Sequence, residues 1–347
     1  MPNYSDIIDL VRTPQRPRVL PAIWDFFPCH AAAVGGVPNF TRYYFDVDEK
    51  LRIQRTFKSL IPEAVILPGV FPDLGVVVTA SAFGGSIRWF DQGAPFIGET
   101  IRSPEDIDSL SLPEPGLAGL TPLWLVQRDI LRRKLEAQGI ELERWAMSMG
   151  PAEIAGLLMG YDKLYYAFYD EPERLARLMD LVTDFIIAWL EVQSEAMDGA
   201  HLLCIADHMF SQVPPELSRQ FTLPCLQRIF TAFPNALKLY HNEGHHADEH
   251  VSMVLDFGAD IWHFGSDVHQ LDELLPRLDN RVVLFGGLNP HGVMRHGTPD
   301  DVRKATSKAL EVACGHRMLF STGTGTTPEA TLANQRAMVE TVLERDG

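Results

Sequence analysis

The sequence predicts an α/β fold of the (β/α)8 barrel class, with an N-terminal elaboration and an inserted β-hairpin. Three observations carry that expectation. Eight short apolar runs have strand character, the segments between the later ones have helical periodicity, and polar residues collect just after the runs. The runs are 19–24 (VLPAIW), 64–69 (AVILPG), 145–149 (WAMSM), 201–205 (HLLCI), 237–241 (LKLYH), 261–264 (IWHF), 282–286 (VVLFG) and 318–321 (MLFS). A helix is expected around DVDEKLRIQRTFKSL, and another over 172–197, where apolar residues recur at three and four. Thr298-Pro299 and Thr327-Pro328 read as N-cap and N1 pairs that start further helices. The segment 75–91 (GVVVTASAFGGSIRWFD) breaks the rhythm and is expected to be a hairpin turning at Gly84-Gly85. Residues 1–347 are expected to form one domain, in which 1–60 hold the elaboration and the first barrel strand.

Composition narrows the function. The 347 residues carry a net charge of −16, which argues against a nucleic-acid partner, since phosphate backbones are bound by clustered Lys and Arg. No apolar run approaches bilayer-spanning length, so no membrane association is expected. The four cysteines are scattered, without a CxxC pair, as in a reduced cytoplasmic protein.

In barrels of this class, chemistry sits where strands end and βα-loops begin. The polar residues expected there are Asp25 and His30, Asp207 and His208, His241 to Glu243, His263, Asn289, and the Gly323-Thr324-Gly325 loop. His241 and Glu243 fall on the same side of an extended strand, so they suit either a metal pair or a hydrogen-bonded polar pair. His208, at the end of the neighbouring strand, is the candidate third metal ligand. Asp207 is a candidate general acid or base. His263 lies within an apolar strand and suits a pocket wall. Trp24, Asp25, His30, His263, Asn289 and Thr324 form the candidate substrate-binding set, and Trp24, Phe26, Phe27, Tyr165, Tyr166 and Trp262 are aromatics able to line a pocket or pack a core. Gly286-Gly287 suits either an anion cradle or a backbone of positive φ.

HADEH (246–250) matches H-x-x-E-H, an inverted zinc-protease motif. The segment after it reads as a short barrel helix, which would make HADEH a solvated outer face. No downstream acidic helix supplies a third ligand.

The succession of GPAEIAGLLMGYDKLYYAFYDEPERLARLMDLVTDFIIAWLE, IADHMFSQVPPELSRQFTLPCLQRIF, H-x-x-G at 241–244, FGADIWHFG, LFGGLNPHGVMRHGTPDDVRKAT and FSTGTGTTPEATLANQRAMVETV resembles the uroporphyrinogen decarboxylase superfamily, from about residue 40 to the C-terminus. The resemblance implies a (β/α)8 barrel and one of two activities: cofactor-free decarboxylation, or methyl transfer to or from a corrinoid protein, often with zinc. The decarboxylase branch carries an Arg-rich N-terminal motif, whereas 21–36 (PAIWDFFPCHAAAVGG) contains no arginine. Thiol-methylating relatives bind zinc through H-x-C and a second cysteine, where this chain has His241, Glu243 and Thr324. Harder N/O ligation of zinc or another divalent ion remains open. The resemblance therefore implies a methyltransferase of the demethylating kind. It would move a methyl group from a small methoxylated or methylated compound to a corrinoid supplied by a partner protein, and a homodimer is compatible with it. The alternative is a decarboxylase or lyase acting on a smaller acid than uroporphyrinogen.

Overall fold

The computed structural model describes residues 3–26, 39–323, 325 and 327–346. Ten strands are present: β1 Val19–Trp24, β2 Val65–Leu67, β3 Ile87–Phe90, β4 Gly93–Ile97, β5 Trp145–Met149, β6 Leu202–Ala206, β7 Leu237–Asn242, β8 Ile261–Phe264, β9 Val283–Leu288 and β10 Met318–Thr322. Eight of them form one parallel sheet in the order β2-β1-β10-β9-β8-β7-β6-β5. They are the eight runs expected from the sequence, three with the expected bounds and five with ends that differ by one or two residues, in a TIM-barrel-like fold. The two edge strands, β2 and β5, are not joined by a backbone ladder. Side chains cross that seam instead. Tyr4, from the helix Tyr4–Arg12, donates to the Pro68 carbonyl at 2.8 Å and sets its ring edge-on against Trp145. Thr79 and Ser148 share a hydroxyl hydrogen bond of 3.0 Å.

The strands are buried on both faces, as parallel strands under helices must be, which explains why they read as continuous apolar runs. The helix Pro172–Glu195 buries Leu175, Leu178, Met179, Val182, Phe185, Ile186 and Trp189, a stripe of three- and four-residue spacing that seats it on the sheet. Thr298 caps the helix Pro299–Val312 through a reciprocal box with Asp301. Thr327 does not play the same part. The last helix begins at Leu332, and it is Thr331 Oγ1 that accepts the Asn334 N–H at 3.1 Å.

The insertion differs from expectation. Residues Val78–Ser81 are helical, and the hairpin is β3 with β4, turning at Asp91-Gln92 rather than at Gly84-Gly85. The β-branched run 76–79 suggested a strand, but Thr79, Ala80 and Ser81 are buried within the body of the protein, and burial there outweighs local propensity. No helix among the described residues is long and apolar enough to cross a membrane.

Candidate functional site

β6 and β7 are neighbours in register, with Ala206 opposite His241, so the residues just beyond them meet at one end of the sheet. His208 opens a short 3-10 helix after β6, and Glu243 follows the last residue of β7. His241 and Glu243 point the same way, as the two-residue strand period requires. Glu243 Oε2 lies 2.8 Å from His208 Nε2 and 3.1 Å from His241 Nε2. Among the described residues these three form the one group of side chains whose ligand atoms all lie within 4.8 Å of one another.

The hydrogen-bond partners fix which nitrogens carry hydrogen. The Thr322 carbonyl accepts from His263 Nε2 at 3.3 Å. Burial, followed by the neighbouring His241, holds the His263 pKa well below the usual histidine range, so its Nδ1 is bare. The 2.8 Å contact between His263 Nδ1 and His241 Nδ1 therefore carries the His241 hydrogen, and His241 turns its Nε2 toward Glu243. On the other side, Glu153 Oε2 accepts from His208 Nδ1 at 3.2 Å and from the His208 backbone N–H at 3.1 Å. His208 likewise turns Nε2 toward Glu243.

Two imidazole nitrogens thus converge on one carboxylate oxygen. That oxygen is buried and receives no aligned hydrogen bond from either ring, despite its short distances to both. With both imidazoles neutral, these atoms form a ligand set that could hold a cation; with His208 protonated, its charge faces the carboxylate instead. Burial disfavours the His208 imidazolium, but Glu153 and Glu243 outweigh it and push the pKa up to about 10. Burial also works against the Glu243 carboxylate, which His208 and His241 nonetheless hold well below the usual carboxylate range. The set of two nitrogens and one oxygen is the kind of hard-to-borderline environment that suits zinc or another divalent ion with an open position.

The surroundings hold these groups still. Trp24 stacks on His241 at 4.8 Å between ring centres, and Phe285 stacks on His263 at 4.3 Å. Tyr161 donates to Glu153 Oε1, so the carboxylate that orients His208 is itself anchored. Glu153 lies in the first turn of the helix Pro151–Met159, directly after β5. The sequence reading missed it. An acid in the first turn of the helix after a strand end was the available signal, but that position reads equally well as a favourable helix-dipole contact.

Other expected residues fall into several groups. Trp24, His208 and His241 line a cavity of about 230 Å³, together with Phe26, Asp73 and Met149. His263 is fully buried behind His241. Asp207 is also fully buried and does not line the cavity. Its Oδ2 accepts from the Ala152 N–H at 3.0 Å, and a Cβ on Gly150 would lie 2.3 Å from Asp207 Cβ. Burial, then the negative charge of Glu153, pushes the Asp207 pKa up to about 7. Asp25 is buried at the end of β1, with its N–H donating to Leu67. Asn289 is exposed and closes its own turn, accepting from His291 N and Gly292 N. His30, Phe27 and Thr324 lie outside the described residues.

Tyr165 and Tyr166 are exposed on the helix Tyr161–Asp170, whereas Trp262 is fully buried against His246 and His269. Gly286 and Gly287 have φ of 147° and 134°, and a Cβ on either would press on Phe264 or Phe320, so close ring packing requires them.

The HADEH segment corrects an expectation. His246 and His250 are buried, not solvated. Among the described residues His246 belongs to no group of three metal-ligating side chains: its Nδ1 donates to the Gly244 carbonyl at 2.8 Å, and its Nε2 meets Tyr240 Oη at 3.2 Å. His250 Nε2 meets Ser218 Oγ at 3.2 Å, and Glu249 is exposed. His250 lies in the first turn of the helix Asp248–Asp256 and His246 in the loop just before it, and both rings pack against Phe210.

Comparison with known proteins places the chain. The family described as "Uroporphyrinogen decarboxylase (URO-D)" matches residues 53–345. Uroporphyrinogen decarboxylase of Chlorobaculum tepidum is 25% identical over 285 residues, covering 79% of this chain and 78% of its own. Methylcobamide:CoM methyltransferase MtbA of Methanosarcina acetivorans is 27% identical over 289 residues, covering 80% and 78%. Among solved structures, a methyltransferase from Methanosarcina mazei superposes with a TM-score of 0.81 over 99% of both chains at 19% identity, a likeness that bears on the fold.

Proposed function

Because the chain belongs to the uroporphyrinogen decarboxylase family, we propose that it is a methyltransferase of the demethylating kind. It takes a methyl group from a small methylated or methoxylated compound and passes it to a corrinoid protein. The observation that carries this reading is the convergence of His208 Nε2, His241 Nε2 and the buried Glu243 Oε2 at the wall of an aromatic cavity. The methyltransferase relatives support it, as a corrinoid and a methyl group appear in the name of one of them.

A divalent ion held by His208, His241 and Glu243 would polarise the heteroatom that gives up the methyl group. The protein's own residues do the remainder. His263 keeps His241 in the tautomer that offers Nε2. Glu153 does the same for His208, with Tyr161 behind it. Trp24 covers the face of His241 and keeps water from that side of the pair. Asp207, enclosed beneath the helix Pro151–Met159, accepts from the Ala152 N–H and supports that helix. Glu153→Gln is expected to lower zinc affinity about 10–100-fold while leaving the far-ultraviolet circular dichroism unchanged; competition with a chromophoric chelator measures it.

Uroporphyrinogen decarboxylation fits poorly. No Lys or Arg lines the cavity among the described residues, and 27–38 contain none either. A poly-acid would leave its carboxylates unpaired there. The direct test supplies the purified protein with a reduced corrinoid protein and a panel of methyl ethers, thioethers and methylamines. Methylated corrinoid and demethylated product should appear one for one, stop with chelator and return with zinc. Carbon dioxide release from a small acid, indifferent to chelator, would instead identify a decarboxylase.

A further inference from the structure

Beside the candidate ligands His208 and His241, the cavity wall carries a different kind of chemistry. Asp73, only 5% exposed, lines the same space as His208 and His241. Its carboxylate is held by two neutral donors: Tyr43 Oη at 3.2 Å on Oδ2 and the Gly75 N–H at 2.8 Å on Oδ1. A carboxylate has about four acceptor sites, so two partners leave capacity for more. Among the described residues Asp73 takes part in no ion pair. The buried ammonium of Lys50 is nearby, but it is committed to the Tyr44 carbonyl and to Gln127 Oε1. Burial also lowers the Lys50 pKa to about 7, against the pull of Asp73, so the lysine balances the carboxylate incompletely near neutral pH.

The same cavity is lined by six aromatic residues, Trp24, Phe26, Tyr44, Phe71, Trp124 and Trp189. Aromatic faces attract cations through their negative quadrupole, and the attraction grows in a desolvated site. A buried carboxylate beside such faces, with no lining Lys or Arg among the described residues, is complementary to positive charge and hostile to negative charge.

We propose that Asp73 and these rings form a cation subsite. The compound that binds would then carry an amine or methylated amine for Asp73 and a methylated oxygen or sulfur for His208 and His241. The role of the histidines rests on the methyltransferase reading, whereas the cation preference does not. A volume of about 230 Å³, below the usual range for drug-sized ligands, limits the compound to about one ring.

Three single-ring methyl ethers differing in charge test this on the full chain: methoxybenzene, 4-methoxybenzoate and 4-methoxybenzylamine. Binding is followed by calorimetry and by quenching of tryptophan fluorescence, without any corrinoid. The benzylammonium should bind about tenfold or more tighter than methoxybenzene, and the benzoate more weakly than both. Asp73→Asn, which keeps acceptors for Tyr43 and Gly75, should remove the preference of cation over neutral ether. Equal binding of the cation and the neutral ether by the wild type would overturn the subsite, as would an undiminished preference in Asp73→Asn. If that variant does not fold, the wild-type charge series decides alone. Since no methyl transfer is measured, failure of the proposed activity leaves this result intact. Conversely, demethylation without charge preference removes only the subsite.

Discussion

Glu243→Ala should abolish most of the methyl transfer while leaving the fold in place. Glu243 is the one anionic member of the proposed ligand set, and its Oε2 is the atom on which both imidazoles converge. Without it, two neutral nitrogens remain, too few and too weakly charged to keep a divalent ion. A Lewis acid contributes several kcal/mol to the stabilisation of a developing anion, so its loss corresponds to about a 10³-fold fall in kcat/KM. Glu243 is part exposed and sits beyond the strand end, so its removal costs the core little. Steady-state transfer assays with the reduced corrinoid protein, alongside thermal melts, separate the two effects. A variant that keeps full rate and responds to chelator as the wild type does would remove Glu243 from the ligand set.

The second large effect concerns acid stability. His246 is buried, and burial, with the charges of His269, His250 and His245 adding to it, leaves its pKa well below 6.5 despite the hydrogen bond to the Gly244 carbonyl. Of these influences, burial dominates and the Gly244 hydrogen bond opposes it. The sign follows from proton counting. Between the folded pKa and 6.5 the unfolded chain binds a proton that the folded chain refuses, so stability is full above pH 6.5 and falls as pH drops below it. One such histidine contributes a slope of up to about 1.4 kcal/mol per pH unit. His263 acts in the same direction. Asp207 acts in the opposite one: its pKa is raised from 3.8 to about 7, so between those values the folded chain holds the extra proton and stability declines as pH rises. The wild-type curve adds these to the contributions of the other shifted groups, His208, His250 and His269 among them, and comparison with His246→Gln isolates one contribution. Urea unfolding at pH 4.5–7 should give a shallower acid decline in the variant, by up to about 1.4 kcal/mol per pH unit. Parallel curves would mean that His246 does not remain neutral in the folded protein.

The fold was legible because parallel strands buried on both faces leave an apolar signature in the letters, and all eight carry it. The same burial rule explains the misreading of 75–91. A β-branched run signals a strand only where it has a ladder to join, and Val78–Ser81 packs as a turn of helix instead. At the site, period-two reasoning joined His241 to Glu243, and strand adjacency added His208. Three features were not legible. Asp207 follows a strand end as a catalytic acid would, yet the direction of its side chain depends on the helix Pro151–Met159 packing over it. Glu153 and Asp73 come from other parts of the chain, after β5 and after β2, and only the closed arrangement of strands brings them to the cavity wall. His246 precedes, and His250 opens, a short helix whose inward side cannot be told from a polar pattern, because histidine is at home both in water and against Phe210.

The central claim is that His208, His241 and Glu243 together bind one divalent ion. Zinc titration of the metal-stripped protein against a chromophoric chelator measures this without any assumption about substrate. One zinc ion per chain is expected to bind tightly, with the site lost in both His241→Ala and Glu243→Ala. A wild-type protein that takes no zinc, cobalt or manganese from the chelator, or one that binds zinc equally well with both residues replaced, would contradict the account.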